Sequence, residues 1–273
     1  FRLPVAFGRE AVISTGRYAI VAGGLPGGDA SIATAYRIDL RQGRVTSMPS
    51  LPVAVHDTAG GTANGRPVVI GGGNASEQSA VQGWAGGRWQ LIGRLPQARS
   101  DLVAATVAGR VIVLGGYDGA RPAEQDILSS ADGHRWKIIG TLPVPVRYPA
   151  GTVSGGAIWL FGGERGGVMR TAIQRVDPGT GQAHVVGRLP IALGHAAAMP
   201  FGNRILIAGG RTSTDKVTDR MWWFDPKTRT IHAAGRLPVP LADSAIAHWD
   251  HTYYLIGGET PAVTRTILEV AYR

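Results

Sequence analysis

Residues 95–116 read LPQARSDLVAATVAGRVIVLGG. Leu95 and Pro96 open the stretch, residues 101–107 form one apolar run, Ala108, Gly109 and Arg110 make a turn, and VIVL at 111–114 leads into Gly115 and Gly116. A short β-branched run of that kind is a strand buried on both faces, and the turn before it makes the two runs a hairpin. The same frame occurs six times. Leu-Pro begins at Leu3, Leu51, Leu95, Leu142, Leu189 and Leu237; Gly-Gly begins at Gly23, Gly71, Gly115, Gly162, Gly209 and Gly257. From each Pro to its first Gly is 19 positions, and the units are 44–48 residues long. Such a fixed period marks units that bury their faces only by stacking on their neighbours.

Outward from that hairpin, each unit continues alike. Runs equivalent to VIVL stand at 18–22, 67–70, 157–161, 204–208 and 252–256, most of them behind a Gly or Asn turn residue. After Gly-Gly come a polar loop, a third strand (33–39, 171–177, 220–225), a turn rich in Asp, Pro and Gly, and a fourth strand running into the next Leu-Pro. Four antiparallel strands in about 47 residues are the blade of a β-propeller. The expectation is therefore an all-β, six-bladed propeller, a single domain over residues 1–273. After Gly258 only 15 residues remain. They suffice for a third strand at 266–272, so the last blade lacks its fourth strand within this chain unless residues upstream of Phe1 supply it, with Phe1 and Arg2 as its end. Pairing the two chain ends in one blade suppresses an exposed edge.

The whole chain resembles the kelch-repeat proteins, whose blades end the second strand in Gly-Gly and carry aromatics further on. Tyr36 and Trp222 stand 12 positions after Gly24 and Gly210, and Trp136 stands 20 after Gly116. Units four and six lack both aromatics, so the repeats are degenerate. No Gly-His to Trp-Asp pairing of the WD40 kind is present.

Composition narrows the chemistry. The chain has no Cys, which excludes disulfides, thiolate sites and a Cys-Tyr redox cofactor. No apolar run approaches a membrane span, so no membrane insertion is expected. The formal charge is +9 from 28 Lys and Arg against 19 Asp and Glu, scattered singly with no basic run and no stripe interleaved with stacking aromatics; nucleic acid is not an expected partner. HExxH, GxSxG and Walker loops are absent, and the Gly pairs lead into strands, so they are not phosphate cradles. No cofactor and no metal site are expected, and the chain reads as a monomer. A start at Phe1 partway through a repeat suggests a removed leader or tether and an extracytoplasmic place.

Candidate site residues follow from the alignment. The fifth residue after each Pro enters the innermost strand on the channel rim: Arg9, Asp57, Asp101, Tyr148, His195 and Asp243. One position earlier stand Gly8, His56, Ser100, Arg147, Gly194 and Ala242; directly after the Gly pairs stand Leu25, Gly73, Tyr117, Glu164, Arg211 and Glu259. Carboxylates beside Arg and His displace one another's pKa values and hydrogen-bond polar ligands. Against this, channel-facing positions washed by water tolerate polar residues at little cost. Tyr117, Asp118 and Arg121 offer stacking with hydrogen bonds, and Gly27, Gly28, Asp29 and residues 74–79 read as rim loops.

Unit four reads GGERGGVMRT, with Arg170 six positions after Glu164. This is similar to the sialic acid mutarotases, six-bladed kelch proteins in which a Glu and an Arg at this spacing are associated with the active site. The resemblance implies a carboxyl that moves the anomeric proton and a guanidinium that holds a carboxylate. Unit six repeats the spacing with Glu259 and Arg265, as a feature of the repeat itself would. The leading expectation is a ligand- or protein-binding module with a polar site at the channel rim, whose partner is a protein or an acidic or carbohydrate small molecule. The alternatives are a sugar mutarotase using Glu164 and Arg170, and a structural scaffold.

Overall fold

The computed structural model describes residues 1–28, 30–213 and 216–271; Asp29 and Tyr272 lie outside them. Among the described residues there is no helix, and none is long and apolar enough to cross a membrane. Among the described residues, five antiparallel sheets have four strands, one has three, and two short ribbons follow Gly pairs, Glu164–Arg165 with Val168–Met169 and Arg211–Ser213 with Lys216–Val217. Blade 1 takes Ala11–Thr15, Tyr18–Ala22, Ala35–Asp39 and Arg44–Met48 from the channel outward. The inner strands of the others are Ala59–Ala63, Val103–Val107, Ala150–Ser154, Ala197–Phe201 and Ala245–Trp249, each beside the next, so the six blades form a ring. The chain is a six-bladed β-propeller.

The core lies between blades. Six buried apolar clusters occur, one in each blade-to-blade interface. Every Leu of the Leu-Pro pairs is at most 6% exposed and belongs to a different cluster. Burying one such side chain contributes about 2–3 kcal/mol, which is why this position stays Leu in all six units.

The fixed interval from Leu-Pro to Gly-Gly is the length of one inner hairpin, five residues against five across a two-residue turn in every blade, as in Val103–Val107 with Arg110–Leu114. The third residue after Pro presents its carbonyl to the Gly pair of the preceding blade, whose second Gly donates its N–H: Gly72 to Arg99 at 2.9 Å, Gly116 to Val146 at 3.0 Å, Gly163 to Leu193 at 2.8 Å. The first Gly must let that carbonyl approach. A Cβ on Gly71 would stand 2.5 Å from the Arg99 oxygen, and its φ of 59° is in the left-handed region. The Gly pair thus also staples its blade to the Leu-Pro segment of the next.

Ring closure falls at blade 6. Its strands Ala245–Trp249, Thr252–Ile256 and Ile267–Ala271 are followed on the outside by the start of the chain. Arg2 bridges Thr266 in antiparallel register, and Leu3 donates its N–H to the Arg265 carbonyl at 2.8 Å. Residues 1–3 therefore take the outer place that the sequence leaves open for a fourth strand.

Candidate functional site

Each Leu-Pro segment reaches the channel mouth and makes one two-way backbone bridge with the residue after a Gly pair. The six bridges are Gly8 with Leu25, His56 with Gly73, Ser100 with Tyr117, Arg147 with Glu164, Gly194 with Arg211 and Ala242 with Glu259. The two rim sets aligned by sequence are therefore hydrogen-bonded partners. The next residue turns left-handed in all six units: Arg9, Asp57, Asp101, Tyr148, His195 and Asp243 have φ between 49° and 65°. A non-Gly residue there costs roughly 1 kcal/mol, and the surroundings offset it. The N–H groups of Asp101, Tyr148, His195, Asp243 and Arg9 donate to the carbonyls of Asp57, Asp101, Tyr148, His195 and Asp243 at 2.8–3.1 Å, stitching the blades around the axis. The six side chains converge on a cavity of about 130 Å³.

These side chains are mostly not washed by channel water, as the sequence allowed. Those of Asp57, Asp101, His195 and Asp243 are only 3–7% exposed. Burial at that level requires pairing, and pairing is continuous. Arg9 reaches Asp57 at 3.3 Å and Glu259 at 2.9 Å. Arg211 donates to Glu259 and, at 3.1 Å, to Asp243. His195 holds Asp243 through Nδ1 at 2.6 Å and lies 3.6 Å from Glu164 through Nε2. Arg147 donates to Glu164 Oε1 at 3.0 and 2.5 Å and stands 3.5 Å from Asp101. The Tyr148 hydroxyl donates to Asp57 at 2.9 Å. Its aromatic face stacks on the His195 imidazole with centroids 3.9 Å apart, and Arg147 lies over both Tyr117 and Tyr148.

Electrostatics divide the mouth in two. Hydrogen bonding from His195, and then from Arg147 against the effect of burial, holds Glu164 down to about 2. Burial opposes ionisation of Asp243, yet His195 with Arg9 and Arg211 carries it to about 2. Burial likewise opposes the charged His195, and Asp243 and Glu164 overcome it, lifting the imidazole to about 9. On the other side, burial and then the neighbouring Asp57 push Asp101 up to about 7. Asp57 is raised as well, burial outweighing Arg9.

The remaining candidates fall around this network. His56 stands 3.4 Å from Asp57 through Nε2 and pairs with Ser31 through Nδ1 at 2.7 Å. Asp118 binds Arg121 at 3.0 Å and accepts from Gln97 at 2.6 Å beside Tyr117. Glu164 lies in the mouth, but Arg170 turns away to the Arg165 carbonyl at 3.4 Å, and the guanidinium on Glu164 is that of Arg147. By backbone register Arg170 corresponds to Thr264, since both donate to the second Gly of their pair; the recurring Glu-to-Arg spacing in units four and six is not one structural feature.

Two groups escaped the sequence reading. Glu10, one step deeper than Arg9 and 4% exposed, sets its carboxyl against Gly257 at the junction of blades 6 and 1; burial raises its pKa well above the usual range. Aligning one position further reveals it, because the equivalent residues are Thr58, Leu102, Pro149, Ala196 and Ser244. Arg99, 1% exposed, occupies the third position after Pro, where other units carry Phe7, Val55, Val146, Leu193 and Leu241; it faces the buried Glu124 at 3.8 Å. Among the described residues no group of three or more His, Asp or Glu is arranged to hold a metal ion.

Comparison with known proteins agrees with the fold. Residues 192–238 match the family model described as Kelch motif. A solved structure titled "Structure of YjhT" is similar over 100% of this chain and 97% of that chain, with a TM-score of 0.88 and 16% sequence identity, a likeness of fold. No curated protein matches the chain significantly.

Proposed function

We propose that the chain is a binding module that takes a small polyhydroxylated ligand at the mouth of the channel. One observation carries this reading: side chains from all six blades converge there into a buried network of ion pairs around a cavity. A scaffold gains little from such an arrangement, because buried ion pairs contribute little net stability against apolar residues of equal volume. Left-handed backbone at six non-Gly positions belongs to the same pattern, strain collected where function sits. The network presents fixed donors and acceptors together with the Tyr117 and Tyr148 faces, the combination that recognises sugars: hydroxyls bond to charged groups while C–H faces lie on aromatic rings.

A thermal-shift screen of mono- and disaccharides tests it. At a ligand concentration of about 100 times Kd, binding stabilises the fold by roughly 2.7 kcal/mol, and Asp101→Ala and His195→Ala should each remove the shift. A shift that survives both substitutions contradicts a site at the mouth.

A second reading, sugar mutarotation, draws on the place of Glu164 in the mouth against His195. The guanidinium that would serve it is Arg147. Proton NMR of a freshly dissolved α-anomer decides: faster equilibration with wild type than with Glu164→Gln supports catalysis, and equal rates end it.

A further inference from the structure

Along the sequence the Lys and Arg residues are scattered, but the fold gathers an excess of them on one side of the ring. The face opposite the mouth consists of the turns after the first and third strand of each blade. In blades 1 to 3 that face, with the strand ends entering it, comprises residues 15–18, 37–44, 63–67, 84–89, 107–110 and 130–137, which hold nine Lys and Arg against two carboxyls. The same parts of blades 4 to 6, residues 154–157, 175–184, 201–204, 224–232, 249–252 and 269–271, hold four of each sign. Most of the net charge of +9 therefore lies under three adjacent blades. Their two carboxyls do little to offset it. Asp39 pairs with Arg17 at 2.9 Å and accepts the N–H groups of Arg41 and Gln42, and Asp132 accepts those of His134 and Arg135.

A groove of about 530 Å³ lies within this field, between blades 1 and 2, and is an observation independent of the charge count. Tyr18 and Trp84 form its aromatic walls, and Arg37 and Ser47 also line it. Arg66 and Arg88 adjoin the lining residues Pro67 and Gly87. Arg17 and Arg37 both lie over the Tyr18 ring, at 4.8 and 5.1 Å. The Arg17 guanidinium is spent on Asp39 and on the Tyr18 hydroxyl. That of Arg37 is not. Exposed and held by the ring, it has no ion pair and no hydrogen bond among the described residues, and Arg66 and Arg88 are exposed without an ion pair as well.

We propose that the underside of blades 1 to 3 binds an acidic polysaccharide, at a site separate from the mouth and independent of the reading given to it. One uronate unit sits in the groove with its carboxylate on Arg37, its C–H face on Trp84 and a hydroxyl on Ser47, and its neighbours run past Arg66 and Arg88. A guanidinium fork matches a carboxylate in two parallel bonds, and the Tyr18 ring fixes that fork in advance. The surrounding positive field draws the polyanion in. Two other polyanions fit less well. A bilayer holds a surface that sends apolar side chains into it, and no turn of this face carries an exposed large apolar side chain. Successive bases stack on open aromatic rings. Here the Tyr18 ring is occupied by guanidinium groups and Trp84 packs edge-on against Trp89, which leaves one ring, enough for a sugar face but not for a run of bases.

Isothermal titration of the full chain at low ionic strength compares an alginate oligomer with a maltodextrin of equal length, duplex DNA and phosphatidylglycerol vesicles. Alginate should bind roughly tenfold or more tightly than maltodextrin, and its affinity should fall as salt is added. Arg37→Ser, Arg66→Ser and Arg88→Ser together should lower alginate affinity roughly tenfold or more. Arg94→Ser, Arg188→Ser and Arg236→Ser together remove the same charge from the mouth-side ends of fourth strands and should change it less than about threefold. All six side chains are exposed, so neither variant disturbs the core. Arg37→Lys keeps the charge, loses the fork and should weaken binding about threefold. Absence of alginate binding, equal losses in the two triple variants, or wild-type affinity in Arg37→Lys overturns the inference. So does DNA or vesicle binding as tight as that of alginate, which reassigns the face to a nucleic acid or a membrane. Each of these results leaves the mouth untouched, since the saccharide screen tests that site with small sugars.

Discussion

At the scale of single residues, six equivalent positions do two jobs. Their left-handed backbone binds blade to blade, and their side chains fill the mouth. His195 shows how closely the two are joined, since the imidazole that pairs with Asp243 also touches Glu164 and stacks on Tyr148. Its pKa is raised from 6.5 to about 9, so the charged form stabilises the fold fully below 6.5, and that contribution is lost as pH rises through about 9. Denaturant unfolding across this window should cost the wild type on the order of 3 kcal/mol more than His195→Gln. Parallel pH profiles for the two proteins would show that the imidazole is not charged in the fold. The positions themselves were legible in the sequence, because a fixed offset from Leu-Pro selects them without any structure. Their partners were not. Glu164 pairs with Arg147, 17 residues upstream across a β-bridge, and a reading along the chain favours the nearer Arg170.

At the scale of the structural element, the inner hairpin of five residues against five explains why the interval from Leu-Pro to Gly-Gly survives while sequences around it drift, and the Gly pair staples each blade to the next Leu-Pro segment in one common pattern. Unit three departs from it in one respect, placing Arg99 where the others bury an apolar side chain, with Glu124 opposite. Arg99 also donates to the Gly115 carbonyl at 3.2 Å, and Arg121 stands 3.3 Å from Glu124. Removing one partner of a buried pair leaves a charge without compensation. Arg99→Leu alone should therefore destabilise by about 3–5 kcal/mol, and adding Glu124→Ile should recover most of that loss, as equilibrium unfolding would show. A double variant no more stable than the single one would mean the pair is needed for more than its charge. Strands and turns were readable here from periodicity and Gly placement. The buried Arg99 and Glu124 were not, because a lone charge in a loop segment looks solvated until its interface is assembled.

At the scale of the whole molecule, the propeller is a ring of interfaces without a central apolar core, and its stability depends on closure. Six clusters carry the burial, and the one between blades 6 and 1 includes Leu3, 2% exposed, on the segment that pairs with Arg265 and Thr266. Deleting residues 1–3 should cost about 3 kcal/mol or more, the loss of a buried Leu with its strand bonds, and lower Tm by several degrees. An unchanged Tm would show that the ring does not depend on this join. The blade count and the open place in blade 6 were both legible from counting repeats, whereas the acidic character of the mouth was hidden under a net positive charge. Scattered Arg residues dominate the total, and only the fold shows how the rim carboxyls are paired.

The mouth as a ligand site is tested most directly by difference density from crystals soaked with the saccharide that stabilises the protein most. The expected result is density over the cavity, within hydrogen-bonding distance of Asp101 and Tyr148. A stabilising ligand found elsewhere on the molecule, with the mouth unchanged, would contradict it.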